Sequence, residues 1–485
     1  MKDSQLIKTL AEFTKTEMRS FEKFVNSPYF NTSAATVKLF YAVKEFYPSF
    51  SSERLRSDLL FKKIYGSRKF SLTLFNKLSS NLIKLTEGFI SQTNQVYTPH
   101  GLLYGLRKKK LNNRFLSHYS RESKKLDDNF FVDDNILLRQ LFYDEYINYL
   151  EGSGDYRKAD VEKHNSFEFT FMFFLYRVVL LYPRNRTFAK PEDPKTDLIQ
   201  LIIKNIDFEI LYGDIKGSAL KNKEQLSHLL SLLLLARSGD EKLYEIIKTY
   251  ISANRKILDS NFMYPGYVYM LDHCSMQIAR GNERFYRERY LIYREIEKGY
   301  FETGKIEMHI TLFRNFIMSG ILNGELKWAE EVLCKYSGSM IRKGLEVMVR
   351  FLEALLYFNR EDYESTVKFL AKCDSFKHTK GTLYFRYDIK LLRLMVYYEL
   401  EYFDEALSIA DSVLHIINKR ENVKSLNRLA HINFIKYLKK LVQIKESGTG
   451  KGIDDLLRNA AKENVYEKKW IMKKAAELKE RKSPA

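Results

Sequence analysis

Few groupings in this sequence have the residue types and spacing that chemistry requires. Gly448-Thr-Gly-Lys451-Gly452 carries the glycines and lysine that close a phosphate-binding loop. It lacks the first glycine at the required distance, has Gly where Ser or Thr would hold magnesium, and follows a helical pattern instead of a strand. It therefore reads as a connection. Gly101 and Gly105 fail as a dinucleotide fingerprint for the same want of a strand. His273-Cys274 offers two metal ligands without a partner cluster, and reads as a buried thiol beside a partly exposed imidazole. None of the nine histidines is followed by Glu or has Glu three residues before it, and no Gly-x-Ser-x-Gly elbow occurs. Asp127, Asp128, Asp133 and Asp134 lack the glycine and alternate spacing of a calcium loop, and read as a solvated, helix-capping turn. The expectation is a protein that is not an enzyme, with no cofactor, no metal and no small-molecule substrate.

One grouping does suggest chemistry, and it is basic. Arg107, Lys108, Lys109 and Lys110 are followed by Arg114, Arg121, Lys124 and Lys125, interleaved with Tyr104, Phe115, His118 and Tyr119. Cations of this kind neutralise phosphates with release of counterions, and aromatic rings stack on unpaired bases. These eight residues form a candidate anion or nucleic-acid patch. The plainer reading is a solvated helix face with its aromatics packed inward. Charge placement sharpens the choice: residues 1–125 hold 23 Lys/Arg against 9 Asp/Glu, a net of +14 out of the whole chain's +19. Residues 126–450 are almost balanced, and 451–485 add +4.

The elements that must position these residues are helices. At 485 residues the chain exceeds one ordinary core, so several domains or an extended array are expected. Eight Pro and 21 Gly are too few for an all-β chain, which needs a turn about every ten residues. Thr14 with Glu17 has the form of a capping box, and Ser27-Pro28 should end the helix that follows. Further helices are predicted over Ala34–Phe46, from Ser57 to Gly66, and after Ser71, where Phe75, Leu78, Leu82, Leu85 and Phe89 form a seam. Gln92–His100 reads as a linker, and Pro183–Pro194 as a surface loop. Three scattered cysteines, the charged Met1–Phe13 stretch and apolar runs too short to span a bilayer predict a cytoplasmic protein with no membrane contact.

Beyond residue 140 short polar turns recur, each followed by an apolar anchor. The anchors Leu243, Phe285, Trp328, Tyr363 and Phe403 stand 42, 43, 35 and 40 residues apart, the interval of paired-helix repeats. In the last unit Tyr384, Tyr387, Leu391, Leu394 and Tyr398 line one helix, and Phe403, Ala406, Ala410, Val413 and Ile417 line the next. Tyr363 with Thr366, Phe403 with Ala406, and Tyr156 with Ala159 place a small residue three positions after an aromatic. In this the region resembles the tetratricopeptide-repeat superfamily in a degenerate form, without that family's Trp-Leu-Gly start and closing proline. The resemblance implies an α-solenoid whose groove binds a peptide or helix. Separately, Phe21-Glu-Lys-Phe-Val-Asn-Ser-Pro-Tyr-Phe-Asn31 with the Ser71–Phe89 helix resembles the front module of uncharacterised bacterial proteins.

These readings give an all-α chain in four parts. They are a basic helical module (1–95), a basic connection (96–140), a helical-repeat array (141–445), and a loop with a basic final helix, Ile453 to about Lys482, that caps the array (446–485). The function expected is a protein-binding scaffold or adaptor. The alternative is a nucleic-acid-binding or regulatory protein acting through residues 1–125.

Overall fold

Local sequence decides the first helices. The Thr14 hydroxyl accepts the Glu17 N–H at 3.2 Å, and the Glu17 carboxylate accepts the Thr14 N–H at 2.8 Å, closing the expected capping box. A computed structural model of the chain describes residues 4–50, 55–93, 98–128, 133–187, 198–254, 260–301, 308–374, 385–419 and 425–480. Among them every regular element is helical, and no helix is long and apolar enough to cross a membrane.

The chain divides into two compact units, Met1–Phe174 and Leu175–Ala485, with the division inside one long helix. In the first unit, α1 (Gln5–Ala11), α2 (Lys15–Val25), α3 (Ala34–Lys44), α4 (Ser57–Tyr65) and α5 (Leu72–Thr93) enclose one core. Phe21 lies at its centre, edge-on to Phe13 and Phe40 with centroids 5.6 and 5.3 Å away. The predicted seam of α5 is buried at Phe75, Leu78, Leu82 and Phe89, while Leu85 is only half-buried and Thr86 takes the covered position, its hydroxyl donating to the Leu82 carbonyl.

α6 (Thr98–Lys108), α7 (Asn112–Asp128) and α8 (Asp133–Ser153) build a second core around Leu103, Phe115, Phe142 and Leu150. Both ends of the expected 92–100 linker are therefore helical, and its remainder, 94–97, lies outside the described residues. α9 (Tyr156–Thr187) runs through Pro183, so the expected proline loop is helical as far as 187; residues 188–197 lie outside the described residues. Of the acidic turn at 127–134, residues 129–132 lie outside them also.

The second unit is a succession of helices joined by short turns and longer connections. It contains α10 (Leu198–Asn205), α11 (Phe208–Gly217), α12 (Lys223–Ser238), α13 (Glu241–Asn254), α14 (Ser260–Ala279) and α15 (Arg284–Ile296), which ends in a π-helical turn, Glu297–Phe301. Next come α16 (Ile310–Leu322), α17 (Leu326–Arg342), α18 (Glu346–Asn359), α19 (Tyr363–Asp374), α20 (Phe385–Glu399) and α21 (Phe403–Lys419). α22 (Ser425–Ser447), α23 (Ile453–Lys462) and α24 (Lys468–Glu480) complete it. From α11 onward each helix packs on the next, and α18 also packs on both α16 and α20, so hairpin lies against hairpin.

One turn geometry repeats at the predicted punctuation. After α14, α16, α18 and α20 a left-handed residue (Gly281, Gly324, Glu361, Glu401) stops the helix. The next N–H then reaches back to the carbonyl five residues earlier, as in Asn282 to Gln277, Glu325 to Gly320, Asp362 to Tyr357 and Tyr402 to Tyr397. Of the anchors that follow, Phe285 and Trp328 are buried and Tyr363 and Phe403 half-buried. At the first turn the buried residue is Tyr244, and the expected anchor Leu243 is only half-buried beside it.

The expected single final helix is two. Glu463 turns extended, with ψ 156°, and Glu467 adopts a left-handed φ of 46° before α24 begins. The break is compensated by α22: the Tyr466 N–H donates to the Ala430 carbonyl, and the Asn433 amide donates to the Asn464 carbonyl. It lets Leu456 and Ala460 of α23, and Trp470 and Ile471 of α24, all be buried.

Candidate functional site

The basic residues singled out from sequence lie on the α6–α7 hairpin of the first unit, and they divide by their partners. The Arg107 guanidinium meets Glu145 of α8 at 2.6 Å, with the two side chains 20% and 7% exposed. That contact joins α6 to the core. Arg121 and Lys125 pair with Glu122 at 2.9 and 3.0 Å. The aromatics turn mostly inward: Phe115 is fully buried against Tyr149, and Tyr119 stacks on Tyr146. Tyr104 is the exception, about half exposed, with the Lys108 ammonium over its ring.

Lys109, Lys110, Arg114 and Lys124 are exposed and make no ion pair among the described residues. Lys110 is the left-handed residue of the hairpin turn, with φ 54°, which carries Lys108–Lys110 to its tip. Arg114, His118, Arg121 and Lys125 recur at helical spacing and share one face of α7. Nδ1 of His118 lies 3.0 Å from the Arg121 guanidinium and accepts from it. The free cations are thus fewer than the eight in sequence and concentrate at the hairpin tip.

The other groupings read from sequence stay structural. Gly448, Gly450 and Gly452 are all left-handed and link α22 to α23, with Gly452 at the N-cap of α23. Cys274 is buried as expected, but His273 is fully buried too, a correction to the partly exposed imidazole. Its ring stacks on Tyr244, which hydrogen-bonds Glu288 at 2.9 Å. Burial lowers the His273 pKa and pushes the Cys274 thiol up to about 12. Among the described residues no three His, Cys, Asp or Glu side chains group as a metal site.

A feature that sequence reasoning missed lies in the second unit. Between α16, α18 and α20 on one side and the Ala461–Lys474 segment on the other is a cavity of about 1030 Å³. Its apolar wall includes Met318, Leu322, Leu355, Phe358, Leu392 and Met395. α24 seats beside it through three carboxylates from different hairpins. Lys469 meets Glu283 at 2.8 Å, Lys473 meets Glu361 at 3.3 Å, and Lys474 meets Glu399 at 2.9 Å. The first two pairs are more than half exposed, whereas Lys474 and Glu399 are each only 10% exposed. Glu399 also accepts the Trp470 indole N–H at 2.9 Å, and the indole stands edge-on to Tyr398. Burial works against the Lys474 ammonium, but the hydrogen bonds it donates to Glu477 and Glu399 hold its pKa above the usual lysine value.

Asp388 and Glu467 line the same cavity from opposite sides. Burial raises the Asp388 pKa, with Arg314 at 3.8 Å acting against the rise. Burial, with the Asp388 charge added, raises Glu467, which has no ion pair among the described residues. A sequence signal was available for part of this: Asp388, Leu392, Met395 and Glu399 recur at helical spacing, so an apolar stripe of α20 begins and ends on a carboxylate. Glu467 offered none, because its position depends on the break between α23 and α24. Compared with known protein families, curated proteins and solved structures, the chain matches none.

Proposed function

We propose that this chain is a non-enzymatic scaffold, an α-solenoid of degenerate tetratricopeptide-like repeats whose inner face holds a segment of another protein. The single observation that carries the reading is the cleft of the second unit, because it already receives a helix. α24 lies along it with lysines on carboxylates of three separate hairpins and an indole in a closed site. That is helix-in-groove recognition performed within one chain. Close packing inside a hairpin adds support: a Cβ at Gly320 would stand 3.0 Å from that of Ala329, the small-residue approach of paired-helix repeats.

The test is a photo-reactive residue at Leu355 in the cavity wall, used in the native host, with the same residue at exposed Leu198 as control. A protein crosslinked reproducibly at 355 and not at 198 is expected. Equal labelling at both sites, or none at 355, refutes the scaffold.

The hairpin tip of α6 and α7 supports a second reading, nucleic-acid contact, since Lys109, Lys110 and Arg114 are exposed without carboxylate partners beside a half-exposed Tyr104. Titration of labelled RNA and DNA at two salt concentrations tests it. Affinity should fall steeply with salt and fall again in K109E/K110E/R114E. Binding that ignores either change removes this reading.

A further inference from the structure

We infer that the cavity beside α24 is the docking site of a basic amphipathic helix from a partner protein, laid against α16, α18 and α20. The inference rests on the scaffold reading and names the chemistry of its partner. α24 is not itself the removable occupant. Ile471 and Ala475 are fully covered, and Trp470 and Leu478 are nearly so, which makes α24 a wall of the site. The space it leaves, about 1030 Å³, is open for another segment.

Three features specify that segment. The wall opposite α24 is apolar and includes Met318 and Met395, whose unbranched side chains adapt to varied apolar surfaces, so the incoming face must be apolar. The charge it must bring is positive. α24 lysines already occupy Glu283, Glu361 and Glu399, but Asp388 and Glu467 face the cavity with Arg314 beside Asp388 and the Lys468 ammonium donating to the Ala461 and Glu463 carbonyls, so Glu467 has no ion pair among the described residues. An ammonium or guanidinium entering between them would relieve the repulsion between two half-buried carboxylates. Finally, the cleft shows how it receives such groups. Lys469 and Lys473 stand four residues apart on α24 and reach the turns before α15 and α19, so lysines one helical turn apart match the spacing of its carboxylates.

The experiment uses the full chain and two fluorescein-labelled synthetic amphipathic helices, one of Leu and Lys only and its twin of Leu and Glu, followed by fluorescence anisotropy. The Leu/Lys helix should bind, and its affinity should drop about tenfold or more in D388N/E467Q. It should drop again in L355W, which fills the cavity. Circular dichroism melts of each variant confirm that the fold persists, and the conservative pair D388N/E467Q covers the case in which L355W does not fold. Binding of the Leu/Lys helix that is unchanged in both variants overturns the site. If the Leu/Glu helix binds equally well and L355W abolishes it, the cleft docks helices but the charge assignment is wrong, and the scaffold reading survives alone. If neither helix binds, the docking inference falls, and crosslinking at Leu355 decides the scaffold separately.

Discussion

Arg107 and Lys110 are neighbours in one basic run, yet the structure gives them different work. Substituting each by alanine separates the two. Arg107 meets Glu145 at 2.6 Å, and the Glu145 side chain is only 7% exposed. Arg107→Ala leaves a covered carboxylate without its cation, and removing one partner of a buried pair costs about 3–5 kcal/mol. The guanidinium is 20% exposed, and His100 lies 3.5 Å from the other Glu145 oxygen, so the lower end, about 3 kcal/mol, applies. For a unit the size of Met1–Phe174 that is a fall in Tm of roughly 6–12 °C. Lys110→Ala touches no carboxylate, and relieves no strain because alanine keeps the Cβ at φ 54°, so its effect should stay within about 0.5 kcal/mol. Scanning calorimetry of both variants, with hydrogen exchange of the α6–α8 amides to locate the change, measures the contrast. Arg107→Ala/Glu145→Gln should recover part of the loss. Equal melting of the two single variants would refute the assignment. The practical consequence is that a charge-reversal test of nucleic-acid binding must leave Arg107 in place, because its loss would lower binding through unfolding.

Four further outcomes are expected. Burial lowers the His228 pKa to about 3, so below about pH 6.5 the unfolded chain takes up a proton that the folded chain refuses. Stability then falls as pH drops from 6.5 toward 3, by about 2 kcal/mol at pH 5; His228→Phe, which keeps a ring against Tyr250, should show a correspondingly flatter urea-midpoint profile, and identical profiles would contradict this. Of the three thiols, Cys334 is exposed while Cys274 and Cys373 are buried with thiols pushed up to about 12, so a native-state thiol titration should show one fast group and two that appear only in denaturant. Gly324 has φ 73° and open space where a methyl group would stand, so Gly324→Ala should cost about 1 kcal/mol through backbone strain alone. Gly320→Val should cost about 1–3 kcal/mol by pushing Ala329 and Trp328 away, and urea denaturation that finds either variant neutral would refute the packing of this hairpin.

Local rules were legible in the sequence. The Thr14–Glu17 box, the α5 seam and the turns at Gly281 and Gly324 each depend on residues within a few positions of one another, so type and spacing suffice. Helical class followed from the same rules summed along the chain, whereas the turn that takes Lys109 and Lys110 out of helix between α6 and α7 was not marked. Even the turns at Glu361 and Glu401 were marked by their polar neighbours, although Glu fills the position that favours glycine.

What only the tertiary structure decided is which of several equivalent residues meets a partner from far along the chain. Arg107 and Lys109 look alike in sequence; Glu145 of α8 distinguishes them. Leu243 was the expected anchor, and the packing of α13 on α12 and α14 buries its neighbour Tyr244 instead. The cavity needs Asp388 and Glu467, 79 residues apart, brought together by a helix break that α22 stabilises through Ala430 and Asn433. Hydrogen bonds and side-chain spacing within a helix act over one or two turns, so sequence records them directly. Burial and charge pairing depend on distance in space, and in a chain folded as successive hairpins that distance is set by how each pair of helices seats on the next.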